Sequence, residues 1–224
     1  MMDKDLLTFL EDYVTDERKQ KFKDVLAERT RHFTVVLENI FQPHNASAVV
    51  RSCDIFGVQD VHTVEDNYIR KVSRRVAKGS QKWITFHRYK EGTNNIKTCV
   101  KDLKEKGYQI VGTTPHTDSC MLADFDVTKK TAFVFGEEKD GISDYVKENA
   151  DGFLKIPMVG FTESLNISVA AAITLQDVTN RLKKSNIEWQ LTKDEQTELY
   201  SEWVESTIKN VDKLKQYYEA EVKS

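Results

Sequence analysis

Cysteine, proline and glycine are all scarce: three, three and nine among 224 residues. Cys53, Cys99 and Cys120 lie far apart, with no CxxC and no paired histidine spacing. That argues against a disulfide framework and against a zinc site. Cys53 and Cys99 fall in helical patterns beside apolar neighbours and read as small core residues. With so few prolines and glycines, no stretch reads as a flexible linker. No run reaches the roughly 18 apolar residues of a membrane helix. The opening MMDKDLLTFLEDYV has acids where a signal peptide needs bases, so a cytoplasmic protein is expected. Neither GxxxxGK[ST] nor GxGxxG occurs, which disfavours nucleotide hydrolysis and dinucleotide binding on those folds.

What is present suits a folded domain. Apolar residues make up 39% and aromatics 10%, enough to pack, against 31% charged. The formal net charge is only −3, yet the charges are segregated. From Arg70 to Lys90 there are eight bases (Arg70, Lys71, Arg74, Arg75, Lys78, Lys82, Arg88, Lys90) and no acid. A mean near neutrality can hide a basic patch, and a polyanion meets the patch.

Residues 4–30 carry two helical apolar stripes, one of Leu6, Leu7, Leu10 and Val14, the other of Phe22, Val25 and Leu26. The centre alternates between short apolar runs and amphipathic stretches. Strands are expected at Phe33–Leu37, Asp60–Val64, Tyr108–Gly112, Thr131–Phe135 and Phe153–Ile156. Helices are expected from Asn45 to Gly57, Asn94 to Lys106, Ile142 to Asn149 and Ser164 to Lys183. This alternation predicts an α/β fold with a mostly parallel sheet covered on both faces. The last 40 residues are helical, with Leu199, Trp203, Ile208, Val211, Leu214 and Tyr218 at near-heptad steps. The expected organisation is a helical arm over 1–30, a central domain over 31–184 and a helical extension over 185–224.

Three stretches hold more polar and glycine detail than a core needs. In NIFQPHNASAVVR, Asn45 reads as a helix cap. Arg51 interrupts a small apolar helix, a position that usually wants a carboxylate, phosphate or ligand. In FVFGEEKDG a buried strand runs into Gly136 and then into charge, where open α/β sheets bind ligands. In IPMVGFTESLNISVA a strand end and a glycine-containing loop lead to Ser164, which reads as the cap of the next helix. A helix N-terminus also offers free N–H groups to a polar ligand.

In this order and spacing the three stretches resemble the motifs of the SPOUT superfamily of RNA 2′-O-ribose methyltransferases. The likeness runs through NASAVVRSCDIFGVQDV, FVFGEEKDGIS and IPMVGFTESLNISVAAAI, over roughly residues 33 to 183. GSQKWITFHRY is further similar to the matching segment of the TrmH family, tRNA guanosine-2′-O-methyltransferases that act on guanosine-18 of the D-loop. The resemblance implies a C-terminal trefoil knot, S-adenosylmethionine as methyl donor, and a homodimer. It implies catalytic roles for Asn45, Arg51, Glu138, Ser164 and Asn166. The donor would be held around Thr113, Gly136, Ile156, Met158 and Leu165. No metal is needed for the reaction.

tRNA phosphates are expected to meet the eight bases from Arg70 to Lys90, together with Arg181, Lys183 and Lys184. Trp83, His87 and Tyr89 are candidates for stacking on an unpaired base. Two alternatives stay open: ribosomal RNA methylation by the same chemistry, and a catalytically inactive RNA-binding protein. Residues 1–30 are too short for a separate RNA-binding domain, which favours tRNA. The intact Arg51, Glu138, Ser164 and Asn166 speak against an inactive protein.

Overall fold

The computed structural model describes residues 2–40, 42–65, 79–114, 119–137 and 140–222. It divides into two compact units: residues 30–189, and the two terminal segments 1–29 and 190–224 taken together.

In the central unit seven strands form one parallel sheet. They are β1 (Phe33–Glu38), β2 (Asp60–Val64), β3 (Thr85–Tyr89), β4 (Gln109–Thr113), β5 (Cys120–Met121), β6 (Thr131–Phe135) and β7 (Gly152–Lys155), in the order β3-β2-β1-β6-β4-β7-β5. Registers include Val35 opposite both Val61 and Phe133, and Val111 opposite Phe133. Every residue of β1 and β6 is buried, as expected of strands covered on both faces.

Helices α3 (Pro43–Phe56) and α6 (Ile167–Lys183) lie against one apolar cluster, with Val49, Cys53, Leu175 and Val178. Helices α4 (Asn95–Glu105) and α5 (Asp144–Asn149) complete the other, with Val36, Cys99, Leu103 and Val146. All strands run the same way, so the loops after β1, β4, β6 and β7 gather at one sheet edge. The chain order reverses there, between β1 and β6, as at other α/β ligand sites.

Two expected caps move. Asn45 does not cap α3. That helix starts two residues earlier at Pro43, whose missing N–H and preset φ suit a first helical position. Ser164 does not cap α6. The helix starts at Ile167, capped by Asn166, whose Oδ1 accepts from Ser168 N at 2.9 Å. The far end of α3 is as expected: Gly57 takes φ +80°, which glycine adopts without penalty.

In the terminal unit, α1 (Lys4–Glu11) and α2 (Asp16–Ala27) accompany α7 (Lys193–Thr207) and α8 (Val211–Tyr217). Thr15 caps α2, and a Thr192/Glu195 capping box opens α7. Phe22 packs edge-on against Tyr200 and Trp203. The heptad stripe is not one helix: Ile208 is extended and Asn210 takes φ +57°, so α7 and α8 are separate. No helix among the described residues is long and apolar enough to cross a membrane.

Candidate functional site

A cavity of about 440 Å³ opens where β4, β6 and β7 end. Its walls are the carboxyl ends of those strands, the loop after β6, the 156–165 segment and the first turns of α6. Thr113, Gly136, Ile156, Met158 and Leu165, singled out in the sequence, all line it, and so does Ser164. Glu137, Asp140, Glu163 and Thr174 line it as well and were not anticipated.

The loop after β6 is held tightly. Glu137 and Gly141 exchange backbone hydrogen bonds of 2.9 Å in both directions. A Cβ on Gly136 would fall 2.1 Å from Gly141 backbone atoms, so only glycine allows this approach. Gly112 is similarly constrained, since a Cβ there would meet Ile142 Cδ1 at 2.7 Å. Glu138, between these anchors in sequence, lies outside the described residues.

The first and third motifs meet at the edge of the sheet. Asn45, buried in the first turn of α3, accepts a 3.2 Å hydrogen bond at Oδ1 from Asn166 Nδ2. Asn166 therefore uses its oxygen to cap α6 and its amide nitrogen to reach α3. Arg51 stands apart. It is exposed on the third turn of α3 and is not in the cavity wall.

The cavity's chemistry is mixed. Phe135, Ile142, Leu154, Ile156 and Leu165 form apolar walls, while Glu137, Asp140 and Glu163 bring carboxylates and Lys147 and Lys155 bring ammonium groups. Such a site suits a small organic molecule with an apolar or aromatic part and charged groups of both signs. Thr174 adds a fully buried hydroxyl with no hydrogen-bond partner among the described residues. One turn on, Thr179 Oγ1 donates to Leu175 O at 2.6 Å in the usual helical way. Among the described residues no group of three His, Cys, Asp or Glu could hold a metal ion.

The basic expectations divide. Arg70, Lys71, Arg74, Arg75 and Lys78 lie outside the described residues. Lys82, Arg88, Lys90, Lys183 and Lys184 are exposed. Arg181 is engaged internally: it pairs with Asp177 at 2.6 Å and donates to the carbonyls of Phe125 and Leu122. Its guanidinium secures the chain after β5 to α6 and is not a free surface cation.

His87 and Tyr89 are half-buried and already have ring partners within the sheet. They lie on β3, on the face shared with His62. His87 stacks on His62 at 4.4 Å, and its Nε2 lies 2.7 Å from Asp60 Oδ1. Arg31 Nε donates to the other Asp60 oxygen at 2.9 Å. Burial alone would raise the Asp60 carboxyl, but His87 and Arg31 outweigh it and hold the group below its ordinary value. Burial, aided by His87, depresses His62 to about 3. Burial also raises the Tyr89 phenol, with Cys99 and Asp102 beside it. Trp83 is half-buried.

Comparison with known proteins points one way. A family model described as the SpoU rRNA Methylase family matches residues 32–176. A tRNA (guanosine(18)-2′-O)-methyltransferase of Borreliella burgdorferi is 40% identical over 212 residues, 93% of this chain and 95% of that protein. Among solved structures, the TrmH/SpoU tRNA modifying enzyme of A. aeolicus aligns with a TM-score of 0.76 at 31% identity, covering 87% of this chain and 98% of that one. The SpoU methyltransferase AviRb from Streptomyces viridochromogenes, in complex with AdoMet, aligns with a TM-score of 0.61 at 25% identity, covering 72% and 65%.

Proposed function

Since this chain belongs to the SpoU rRNA methylase family, we propose that it methylates the ribose 2′-hydroxyl of guanosine-18 in the D-loop of tRNA, using S-adenosylmethionine. The observation that carries the reading is the cavity, whose wall holds all five residues singled out for the donor together with Ser164. The near full-length likeness to a tRNA enzyme supports tRNA over ribosomal RNA as the substrate.

When bound, S-adenosylmethionine supplies an electrophilic methyl group on a positively charged sulfur. Thr113, Gly136, Ile156, Met158 and Leu165 hold the donor, and the apolar walls keep water from the reacting centre. Glu137, Asp140 and Glu163 can face the cationic part of the donor and Lys147 and Lys155 its carboxylate. Thr174 offers its unpaired hydroxyl to the same cavity. Asn45 and Asn166 tie the first and third motifs together, Ser164 lines the cavity, and Glu138 is assigned to the reaction by its place in the second motif.

The ribose hydroxyl is a poor nucleophile, so its proton has to leave in or near the transition state. A guanidinium is a planar, permanently charged donor fork with no acceptor site, which makes it a poor proton acceptor. In this reading Arg51 stays charged and stabilises the developing alkoxide, while a phosphate of the RNA or a water takes the proton.

Homodimerisation through the cavity-side surface belongs to the same reading. Val159 and Phe161 are fully exposed, and Val169 and Ile173 form an exposed apolar pair one turn apart on α6. Exposed apolar groups of this size on a polar chain suit burial against a second copy. The trefoil knot and a cytoplasmic location are inferred on the same basis.

The deciding experiment is methyl transfer from labelled S-adenosylmethionine to an unmodified tRNA transcript, with the labelled nucleotide mapped. Label as 2′-O-methylguanosine at position 18 is the expected result. Label only in ribosomal RNA would retain the chemistry and replace the substrate. No label, with no donor bound, would leave an inactive RNA-binding protein.

A further inference from the structure

Glu38 is an acid in an unexpected place. It is 2% exposed, the last residue of β1, opposite Val64 and one step beyond the Leu37–Phe135 pair. By strand alternation it shares a face with Val36, toward the apolar cluster containing Ile142 and Val146. A buried carboxylate is costly unless it is hydrogen-bonded. Asp60, also a buried acid, has His87 and Arg31. Glu38 Oε2 accepts from the backbone amide of Ser143 at 3.0 Å.

That amide is a critical one. Ser143 caps α5, its Oγ accepting from Val146 N, and it directly follows the 136–142 loop. Gly136, Glu137, Asp140, Gly141 and Ile142 of this loop line the cavity. The Glu137–Gly141 bridge and the close Gly136–Gly141 approach hold the two ends of the loop against each other. A shift of Ser143 would pass directly into the cavity wall.

We propose that Glu38 is a positioning residue of the donor pocket: its carboxylate anchors the Ser143 amide and so holds the adjoining Gly141 and Ile142 in the cavity wall. The inference rests on the methyl-transfer reading above. It goes further by assigning the pocket's shape to a side chain that does not touch the donor.

The test compares Glu38→Gln, Glu38→Asp and Glu38→Ala in the full chain. Donor affinity is read by calorimetry with S-adenosylmethionine, and kcat and KM by methyl transfer. Gln keeps length and an acceptor oxygen, so its donor affinity should stay near that of the wild type. Asp is too short and Ala has no acceptor. Each should weaken donor binding by about tenfold or more, the scale expected when a buried amide loses its acceptor. tRNA affinity should be unchanged, and kcat at saturating donor should fall much less than kcat/KM.

Unchanged donor affinity in a folded Glu38→Ala would overturn the proposal, as would a Gln variant as weak as Ala. If Glu38→Ala does not fold, Ser143→Pro decides. Ser143 has φ −62°, which proline adopts, so the change removes the amide hydrogen along with the hydroxyl. Ser143→Ala removes the hydroxyl alone. Donor binding weaker in Pro than in Ala supports the anchor, and equal binding overturns it. A wild-type protein that binds no donor would refute the methyl-transfer reading and this inference with it. A wild type that binds donor isolates any failure to Glu38.

Discussion

At the scale of single residues, Arg51 and Asn166 separate roles that are easily merged. Arg51→Lys keeps the charge and loses the planar fork. If the guanidinium stabilises the developing alkoxide, kcat should fall by about 100-fold or more, the usual cost of removing such a donor. Donor affinity should be unchanged, because Arg51 is not in the cavity wall. Single-turnover methyl transfer alongside calorimetric donor titration checks both, and near-normal turnover would end the assignment. Asn166 does two things with one amide: its oxygen caps α6 and its nitrogen reaches Asn45. Asn166→Asp keeps the better half, since aspartate caps as well as asparagine. The expected outcome is a melting temperature close to wild type with methyl transfer reduced at least several-fold. A matched loss of both would reduce Asn166 to a cap alone.

At the scale of elements, the β2–β3 pair carries the clearest pH signature. His62 is buried and held neutral, its ordinary value of 6.5 depressed to about 3. Below pH 6.5 the unfolded chain takes up a proton there that the folded chain refuses. The stabilisation is therefore complete above pH 6.5 and drains away as pH falls toward 3, by at most about 4–5 kcal/mol. Asp60, also depressed, adds a loss confined to lower pH. His62→Phe keeps a ring to stack and cannot titrate. Denaturant unfolding between pH 7 and 4 should show a flatter stability curve for Phe than for the wild type, and parallel curves would contradict it.

The same pair shows why some elements were legible in the sequence and others were not. FTVVL and TAFVF are continuous apolar runs, and their strands appear where the run predicts, buried on both sides. TFHRY differs: Phe86 packs on one apolar cluster, while the opposite face carries His87 and Tyr89, which read as a polar surface until Asp60 and His62 are placed beside them. Cys120–Met121 is only two residues long, too short for any period to show. The caps were misplaced for a local reason: Asn45 and Ser164 have capping chemistry, but Pro43 and Asn166 occupy the positions where the helices begin. The cavity wall was legible through motif order. Glu38 was not, because nothing local in VVLENI says that its partner is an amide 105 residues away.

At the scale of the whole molecule, charge divides between the two units. Residues 30–189 hold 22 Lys and Arg against 20 Asp and Glu, and the terminal segments hold 11 against 16. A polyanion is therefore attracted by the central unit and repelled on average by the terminal one. Of the bases expected to meet tRNA, those exposed at described places in the central unit are Lys82, Arg88 and Lys90 around β3, and Lys183 and Lys184 at the end of α6. Binding of tRNA should weaken steeply with salt, and each phosphate contact removed should lower the log–log slope by about 0.7–0.9. Lys183→Ala with Lys184→Ala should shallow that slope by one to two such steps, as should Arg88→Ala with Lys90→Ala. Replacing Lys213 and Lys209 in the terminal unit should leave it unchanged. Arg181→Ala is the informative contrast. Its guanidinium already serves Asp177, Leu122 and Phe125, so its loss should cost thermal stability while the salt slope stays put. A slope that drops in Arg181→Ala as much as in the lysine pair would mean that the RNA displaces these internal contacts, and that the chain after β5 rearranges when tRNA binds.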